Sequence, residues 1–496
     1  MAREIIGIVG AGIMGRGIAQ LFTQVGHVVR LHDSRDGAAG AGRTYVLAML
    51  DKLEAKGAMS ADDRRAAEGR LSTVPSLSDL SGCTLIIEAI VEELEAKRSL
   101  FAALEGIVGD DCLLASNTSS LTVSDIAAGC RRPERVAGLH FFNPVPLMKL
   151  AEVIPGLLTD AAVTDRLLAL VSGTGHRAVL AADQPGFLVN HAGRALYTEG
   201  LRLLEEGAAT VPEIDRTLRE TLGFRMGPFE LLDLTGLDVS GKVMQSIYEQ
   251  FQHEPRYRPS SLIPPRLAAG LYGRKTGRGF YPYADGVKQE PAEPPPPPAR
   301  AGTAWVAEGD GADALRALLS AGGAELRDDP STADILFVLP WGEDVTAAAV
   351  RARLDARRLV GVDPLGGLTG RLVLMASPAT DPVLVDRAHG WLAATGRAVT
   401  RMQDSPGFIG QRVLAMIVNT GCEIAQRGIA TPADIDAAVR LGLGYPRGPL
   451  EWGDLVGPAR VLSILERLLA ITGDPRYRPS PYLRRRALLG LSLREG

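Results

Sequence analysis

Short apolar runs separated by helix-like segments characterise the first 184 residues of this 496-residue chain. The runs are IIGIVG, HVVRLHD, CTLIIEAI, CLLASN and RVAGLHF. Runs of this length are typical of buried strands, and their alternation with helical spacing predicts a parallel, doubly wound sheet. The runs TAWVAEG, ADILFVLP and RRLVGVD predict a weaker version of the same pattern over residues 303–403.

A second pattern, with helical spacing, occurs twice in the chain. PGFLVN returns as PGFIGQ, and LGFRMGPFELLDLTG at 222–236 returns as LGYPRGPLEWGDLVG at 443–457. Because chance rarely keeps such stretches in register, the repeat predicts a duplicated helical domain. Pro185 and Pro406 are expected in the first turn of a helix, where proline is favoured.

The first apolar run opens a glycine-rich turn with Gly10, Gly12 and Gly15 in GxGxxG spacing. The turn follows a strand and begins a helix, and the second strand ends at Asp33. In this context the first glycine permits the tight turn, the second lets the backbone approach a pyrophosphate, and the third lets helix and strand pack closely. Asp33 would accept hydrogen bonds from ribose hydroxyls and repel a 2′-phosphate, so NAD is predicted rather than NADP. The alternative is a tight strand–helix turn with no ligand.

Five consecutive prolines in EPAEPPPPPAR predict an extended spacer between two unequal halves. The predicted segments are an NAD-binding Rossmann-like domain (1–184), a helical domain (185–285), a proline-rich linker (286–302), a degenerate αβ domain without a dinucleotide fingerprint (303–403) and a repeat of the helical domain (404–496). The expected fold class is an α/β Rossmann-type domain plus an all-α domain, followed by a degenerate αβ segment and a second all-α domain.

Composition narrows the classes of function. Acidic residues number 58 and basic residues 54, a formal charge of −4, so nucleic acid is not an expected partner. No apolar stretch approaches the roughly 18 residues that would suggest a membrane span, and the amino terminus has no charged-then-apolar leader. A cytoplasmic protein without a membrane partner is therefore expected. The wide spacing of Cys83, Cys112, Cys130 and Cys422 predicts neither a disulfide framework nor a metal site.

The segment GLHFFNPVPLMKLAEVI places His140 and Glu152 in an otherwise apolar stretch. RVAGLHF is predicted to be a strand ending at His140, and ligands of open α/β sheets bind beyond the carboxyl ends of strands. A histidine that is oriented by a carboxylate is suited to take the hydroxyl proton of an alcohol. The alternative is a core histidine with an unrelated glutamate, because sequence alone does not show whether the two side chains touch.

Other polar residues could complete such a site. Ser119 lies in the loop ASNTSS after an apolar strand, and Asn143 lies in a proline-broken segment that is expected to line a cleft. Asn190 follows PGFLV in the first helical copy. An ordinary turn would also explain the loop, and a solvated helix face would explain Asn190.

Several motifs occur together along the chain, namely GAGIMGRGIAQ, EAIVEEL, ASNTSSL, GLHFFNPVPLMKLAEVI, PGFLVN, GPFELLDLTGLD and GRKTGRGFY. In this combination the chain resembles the L-3-hydroxyacyl-CoA dehydrogenase family over nearly all of residues 3–284. Its full length resembles the two-half bacterial 3-hydroxyadipyl-CoA dehydrogenases of phenylacetate breakdown. The resemblance implies NAD-dependent oxidation of a (3S)-3-hydroxyacyl-CoA to a 3-oxoacyl-CoA, with 3-hydroxybutyryl-CoA or a general fatty acyl-CoA as alternative substrates.

The resemblance also implies roles for individual residues. His140 matches the catalytic base and Glu152 the carboxylate that orients it, while Ser119 and Asn190 match residues that hold the substrate oxygen and the catalytic geometry. The residues that match the cofactor site are Gly10, Gly12, Gly15, Asp33, Glu92, Lys97, Ser119, Asn143 and Lys275, and Lys56 matches a contact to a CoA phosphate.

Some positions depart from the family pattern. His191 stands where the family usually has arginine. If GVDPLGG at 361–367 corresponds to GLHFFNP at 138–144, Asp363 replaces His140 in the second half. PGFIGQ places Gln411 opposite Asn190, so this half is predicted to be catalytically empty. In the family the helical domains pair between subunits. Two copies on one chain therefore predict either a homodimer or an intramolecular pseudo-dimer through these domains.

Three other functions stay open on the sequence. They are a related dehydrogenase of free hydroxy acids or sugar acids, a β-hydroxyacid dehydrogenase with a lysine acid/base, and a non-catalytic NAD-binding protein. The lack of an equivalently placed lysine argues against the second. A terminal carboxylate on the acyl chain would need a cationic partner, and Arg194, Arg202 and Arg225 are candidates that could equally be surface residues.

Overall fold

The computed structural model describes residues 3–495 and begins with a sheet of eight strands. The strands are β1 (Ile5–Val9), β2 (Val28–His32), β3 (Leu71–Thr73), β4 (Leu85–Glu88), β5 (Leu113–Ser116), β6 (Val136–Phe141), β7 (Leu150–Pro155) and β8 (Arg177–Leu180). The helices among them are α1 (Ile13–Gln24), α2 (Ala38–Ala55), α3 (Ala61–Arg70), α4 (Leu94–Glu105), α5 (Val123–Ala127) and α6 (Ala161–Ser172). The strand order is β3-β2-β1-β4-β5-β6-β7-β8, and an apolar core of strand and helix residues packs against the sheet.

All neighbouring strands of this sheet run parallel except β6 and β7. The predicted Rossmann-type sheet is therefore confirmed, with one antiparallel pair. The connection over residues 142–149 is too short for a parallel crossover, which needs about a dozen residues or more. The antiparallel register places His140 directly opposite Glu152, so both side chains leave the sheet on the same face.

A first set of helices follows the sheet. These are α7 (Val189–Ala192), α8 (Arg194–Glu205), α9 (Val211–Leu222), α10 (Pro228–Thr235), α11 (Leu237–Gln250) and α12 (Ile263–Ala268), and a short hairpin of β9 (Tyr283–Ala284) and β10 (Val287–Lys288) comes after them. The predicted helix start at Pro185 is wrong, because α7 begins at Val189. Gly186 and Phe187 have φ angles of 74° and 48°, and left-handed residues cannot enter a right-handed helix.

The second half repeats this order with a smaller sheet. Its strands are β11 (Thr303–Val306), β12 (Glu325–Leu326), β13 (Ile335–Val338), β14 (Leu359–Val362), β15 (Leu372–Ala376) and β16 (Val399–Gln403), and its helices are α13 (Ala312–Ala321), α14 (Val345–Ala352) and α15 (Pro382–Ala393). The strand order is β12-β11-β13-β14-β15-β16. As in the first sheet, one antiparallel pair, β14 with β15, interrupts a parallel arrangement.

The second helical set consists of α16 (Ile409–Gln426), α17 (Pro432–Leu443), α18 (Pro449–Val456), α19 (Pro458–Thr472) and α20 (Pro481–Leu489). It confirms the repeated all-α domain of the predicted fold class. The helix start expected at Pro406 is wrong for the same reason as before, since Gly407 has a φ of 70° and α16 begins at Ile409. None of the helices within residues 3–495 is long and apolar enough to cross a membrane.

The αβ segments of the two halves share a detail that the sequence comparison did not reveal. The carboxylate of Asp183 accepts hydrogen bonds from the amides of Val123 and Ser124, each at 2.8 Å. The carboxylate of Asp404 accepts them in the same way from Val345 at 2.7 Å and Thr346 at 3.2 Å. A distant aspartate therefore caps the equivalent helix in each half, which extends the duplication from the helical domains to the αβ segments.

The compact units of the chain do not follow the proline linker. One unit contains residues 3–191 together with 427–443, and the other contains 192–426 together with 444–495. In the first unit α17 packs on β7 and β8, where Arg177 forms an ion pair with Asp434 at 2.6 Å. In the second unit α9 packs on β16, where Thr217 donates a hydrogen bond to Thr400 at 3.3 Å. In each half, a helix from the other half thus packs on the edge of the sheet that is formed by its last strands.

Candidate active site

In the glycine-rich turn, the fold requires glycine at two positions but not at a third. Gly10 has a φ of 105°, and a Cβ there would lie 2.4 Å from the carbonyl oxygen of Ala89. A Cβ on Gly15 would lie 1.7 Å from the carbonyl oxygen of Gly10. At Gly12 no atom lies within 4 Å of an added Cβ. The protein itself does not explain Gly12, so the open space fits the close approach of a pyrophosphate to the backbone before α1.

Asp33 lies immediately after β2, beside this turn. Its Oδ2 accepts a hydrogen bond from the amide of Ala11 at 2.8 Å, and its Oδ1 accepts one from the amide of Arg35 at 2.9 Å. Burial opposes ionisation, but the Arg35 side chain and these amides hold the pKa of Asp33 at about 2. The carboxylate is therefore charged at neutral pH and has the chemistry to bind ribose hydroxyls and to repel a 2′-phosphate.

We expect Gly12→Ala to weaken NADH binding by roughly 10- to 100-fold, as the loss of one hydrogen bond to a charged group would. The melting temperature should stay unchanged, because an added methyl meets no protein atom. Fluorescence titration with NADH and a thermal melt check both parts. Gly15→Ala is the matched control and should destabilise the fold instead. Unchanged NADH affinity in Gly12→Ala would contradict the assignment of the turn.

His140 and Glu152, predicted as a candidate pair, are in contact. Nδ1 of His140 lies 2.5 Å from Oε2 of Glu152, and the two residues are 5% and 0% exposed. The other carboxylate oxygen, Oε1, accepts hydrogen bonds from the amides of Leu188 at 3.0 Å and Val189 at 2.8 Å. Both oxygens of the buried carboxylate are therefore occupied, so Glu152 has little freedom to move away from the imidazole.

The surroundings of His140 fix the direction in which it can act. The ring of Phe142 packs at 4.4 Å between centroids and that of Phe187 at 5.9 Å. Because Nδ1 faces Glu152, Nε2 is the nitrogen left to exchange a proton with a ligand. A carboxylate opposite Nδ1 favours the tautomer with hydrogen on Nδ1 and stabilises the imidazolium once Nε2 accepts a proton.

A second polar cluster lies at the carboxyl ends of β4 and β5. Oε1 of Glu92 accepts hydrogen bonds from the Thr118 hydroxyl at 2.7 Å and the Ser119 amide at 2.8 Å. Burial disfavours the charged form, but Lys97 and these donors hold the pKa of Glu92 at about 2. Nζ of Lys97 is buried 2.6 Å from Oε1 of Glu88 and 3.2 Å from Oε2 of Glu92. The cluster ties two loops together at the edge of the sheet where a dinucleotide binds.

Asn190, in α7, contacts this cluster. Its Nδ2 donates a hydrogen bond to the carbonyl oxygen of Ser119 at 3.3 Å. Within the loop, Oδ1 of Asn117 accepts one from the amide of Phe141 at 2.9 Å, at the end of β6. The structure therefore brings Ser119, Asn190 and His140 to the same edge of the first sheet.

Other candidates lie elsewhere. Asn143 is exposed in the loop after β6, and Lys56 is exposed at the carboxyl end of α2. Lys275 belongs to the second compact unit, where its Nζ lies 2.7 Å from Oδ2 of Asp238. Among the arginines considered for a terminal carboxylate, Arg225 is exposed and Arg194 is buried over the ring of Tyr197. Arg202 is half-buried and lies 2.6 Å from Glu206.

Glu88 was missed by the sequence analysis. It ends β4 fully buried, where Oε1 accepts hydrogen bonds from Lys97 and the Ile90 amide, and Oε2 accepts one from the Ser116 hydroxyl at 2.6 Å. The available signal was an acidic residue within the apolar run CTLIIEAI, because a charged residue in a buried strand needs a charged or hydrogen-bonding partner.

The second half has a different arrangement at the equivalent place. Asp363 follows β14, and its Oδ1 accepts hydrogen bonds from Nε2 of Gln411 at 2.8 Å and from the Leu365 amide at 3.0 Å. Burial raises the pKa of Asp363 to about 7. The residue opposite Asp363 in β15 is Val373, where the first half has Glu152. The apolar side chain cannot support a base, which agrees with the prediction that this half is catalytically empty.

Comparisons with known proteins find the same family in both halves of the chain. Residues 5–184 match the family described as 3-hydroxyacyl-CoA dehydrogenase, NAD binding domain, and residues 186–283 and 407–495 both match the corresponding C-terminal domain. The chain is 37% identical to 3-hydroxyadipyl-CoA dehydrogenase of Escherichia coli (strain K12) over 492 residues, 98% of each chain. It is 39% identical over 284 residues to a 3-hydroxybutyryl-CoA dehydrogenase of Mycobacterium tuberculosis, which covers 57% of this chain and 99% of the relative.

A solved structure extends the likeness to the whole fold. The crystal structure described as 3-hydroxybutyryl-CoA dehydrogenase from Escherichia coli K12 superposes with a TM-score of 0.87 at 35% sequence identity and covers 99% of both chains. The fold, the turn that fits NAD and the sequence matches agree. The chain therefore belongs to the 3-hydroxyacyl-CoA dehydrogenase family, whose members are NAD-dependent oxidoreductases that act on CH–OH groups.

Proposed function

We propose that this enzyme oxidises (3S)-3-hydroxyacyl-CoA with His140 as the general base. The 2.5 Å contact between His140 and Glu152 carries the proposal. The pair lies at the carboxyl end of β6, the edge of an open α/β sheet at which ligands bind. A base is required there because an alcohol must lose its hydroxyl proton as hydride leaves carbon.

Each residue of the site has a separate role in this reaction. The glycine turn would hold NAD, whose nicotinamide would supply the acceptor for the hydride that leaves C3 of the substrate. Nε2 of His140 accepts the hydroxyl proton, and Glu152 stabilises the imidazolium that results. Asn190 and Ser119 hold the substrate oxygen near Nε2. The remaining assignments are Glu92, Lys97, Asn143 and Lys275 as contacts to NAD and Lys56 as a contact to a CoA phosphate.

The acyl group that we propose is 3-hydroxyadipyl, which ends in a carboxylate. The relative with this name matches the chain over 98% of its length. The solved structure of full length carries the name 3-hydroxybutyryl-CoA dehydrogenase instead, so the shorter, uncharged acyl group is the alternative.

A comparison of three substrates tests the acyl group. We expect kcat/KM for 3-hydroxyadipyl-CoA to exceed that for 3-hydroxyhexanoyl-CoA by about 10- to 100-fold, as one charge-assisted hydrogen bond would provide. The hexanoyl ester is the matched control, because it has the same chain length without the carboxylate. NADH production is the readout, with 3-hydroxybutyryl-CoA as the third substrate. Equal or higher kcat/KM for an uncharged ester would overturn the adipyl assignment, and NADH binding without any turnover would overturn the dehydrogenase assignment.

We also infer that the helical copies form an intramolecular pseudo-dimer. Nε of Arg412 in α16 lies 2.7 Å from Oε1 of Glu199 in α8, and both side chains are fully buried. The repeat-equivalent positions hold His191 and Thr420, so two first copies would lack the arginine that Glu199 needs. Light scattering on the full chain should give a monomer, and a dimer would contradict the inference.

A further inference from the structure

We propose that Gly442, in the half without a catalytic pair, is a positioning residue for Glu152. It belongs to α17, the helix of the second half that packs on β7 and β8. The inference rests on the proposed function, since it concerns the geometry of the His140–Glu152 pair. It gives the second half an indirect part in catalysis, through the position of Glu152.

Gly442 lies against both segments that hold the catalytic carboxylate. A Cβ added to it would lie 2.9 Å from Cδ2 of Leu150 and 3.0 and 3.2 Å from the two γ-carbons of Val189. Leu150 begins β7, the strand that carries Glu152. The amide of Val189 donates the 2.8 Å hydrogen bond to Oε1 of Glu152. Steric crowding at this contact would therefore displace Glu152 through its own strand and through one of its hydrogen-bond donors.

The backbone does not explain a glycine at this position. Gly442 lies near the end of α17 and is not among the residues with positive φ. Glycine in a helix is less favourable than alanine, so packing has to account for it. The side chain of Leu150 can move its end aside, but Val189 is β-branched and has little freedom at χ1. Val189 is therefore the neighbour that requires glycine at 442.

In the equivalent contact of the other half, the glycine and the larger residue have changed places. By the repeat, Gly442 corresponds to Thr221 and Val189 to Gly410. A Cβ on Gly410 would lie 3.8 Å from Oγ1 of Thr221. Each contact thus combines one larger residue with one glycine, on opposite elements. A pairing of two first halves would instead bring Thr221 against Val189, so the volumes favour α17 as the helix that packs beside Glu152.

The test compares two identical substitutions in the full-length enzyme. Gly442→Ala should lower kcat by about 3- to 30-fold, because displacements well below 1 Å already affect a reaction for which 1 Å costs about 100-fold. KM for NAD should change less than about twofold, since the glycine turn lies apart from this contact. Gly410→Ala is the matched control. Its Cβ would lie 2.9 Å from Cδ2 of Leu365, the end of a flexible side chain, and at least 3.6 Å from its other neighbours. The same methyl group is thus added away from the pair, and kcat should equal that of the wild type.

A rescue separates positioning from general destabilisation. Val189→Ala removes the two γ-carbons that an alanine at 442 would meet, and it keeps the backbone amide that binds Glu152. Gly442→Ala combined with Val189→Ala should recover kcat to within about threefold of Val189→Ala alone, because the two substitutions then compensate. This comparison also decides the matter if Gly442→Ala alone does not fold.

Three outcomes would overturn the inference. They are a wild-type kcat in Gly442→Ala, an equal loss of kcat in Gly410→Ala, and no recovery in the double variant. Failure of the wild type to oxidise any 3-hydroxyacyl-CoA would instead overturn the proposed function, before any variant is measured. The two failures are therefore distinguishable.

Discussion

Replacing His140 by glutamine should lower kcat by roughly 10²–10⁴-fold, the usual loss when a general base is removed. Glutamine can fill much of the space between Phe142 and Phe187 and can still bond to Glu152, but it cannot accept the hydroxyl proton. The described hydrogen bond and ring contacts of His140 are to Glu152, Phe142 and Phe187 and not to the glycine turn. The dissociation constant for NADH should therefore stay within about twofold of the wild type, the range expected for a transition-state effect. Steady-state kinetics with 3-hydroxybutyryl-CoA and an NADH titration check both parts.

His27→Gln is the matched control. His27 is also buried, but it lies at the amino-terminal edge of the sheet just before β2, where its Nδ1 accepts a hydrogen bond from the Glu4 amide at 3.1 Å. Its replacement should lower the melting temperature and leave kcat unchanged. A His140→Gln variant that kept near-wild-type kcat, or lost stability like His27→Gln without a specific loss of rate, would contradict the assignment of the base.

Much of the first sheet could be predicted because its signals are local. The apolar runs identify β1, β2, β4, β5 and β6, and the glycine spacing identifies the turn before α1. The sequence identifies His140 and Glu152 as a candidate pair but does not show whether their side chains are in contact. The contact depends on whether β6 and β7 run antiparallel and in which register, and only the shortness of the connection bears on that. A shift of one residue would put the two side chains on opposite faces.

The exchange of α9 and α17 was beyond the sequence analysis. Both helices have the same amphipathic pattern, so periodicity predicts that each packs on a sheet without indicating which one. The two contacts differ in how large and small residues are paired. Val189 meets Gly442 in one contact, and Gly410 meets Thr221 in the other. Size complementarity has no sequence signature until it is known which residues meet. The helix starts at Pro185 and Pro406 were wrongly predicted for a related reason. The left-handed φ angles at Gly186, Phe187 and Gly407 are properties of the folded backbone that the hydrophobic pattern does not show.

The replacement of Glu152 by glutamine should have an effect of similar size, roughly 10²–10⁴-fold on kcat, although glutamine differs from glutamate by a single atom. The amides of Leu188 and Val189 both donate to Oε1, so the amide oxygen of glutamine would stay there and its NH₂ group would face His140. Nδ1 of His140 would then accept a hydrogen bond, and the ring hydrogen would move to Nε2. In that tautomer Nε2 cannot accept the hydroxyl proton, so the base is present but disabled.

The double variant His140→Gln, Glu152→Gln distinguishes this mechanism from two independent effects. If Glu152 acts only through His140, the double variant should have a kcat within about threefold of His140→Gln alone, because residues that act as one unit are strongly non-additive. Multiplied losses of kcat would mean that Glu152 contacts the reacting atoms by another route. A thermal melt of each variant is needed beside the kinetics, since the buried carboxylate also holds the turn before α7 to the strand β7. A melting temperature near that of the wild type, with the non-additive loss of rate, would establish the pair as a single catalytic unit.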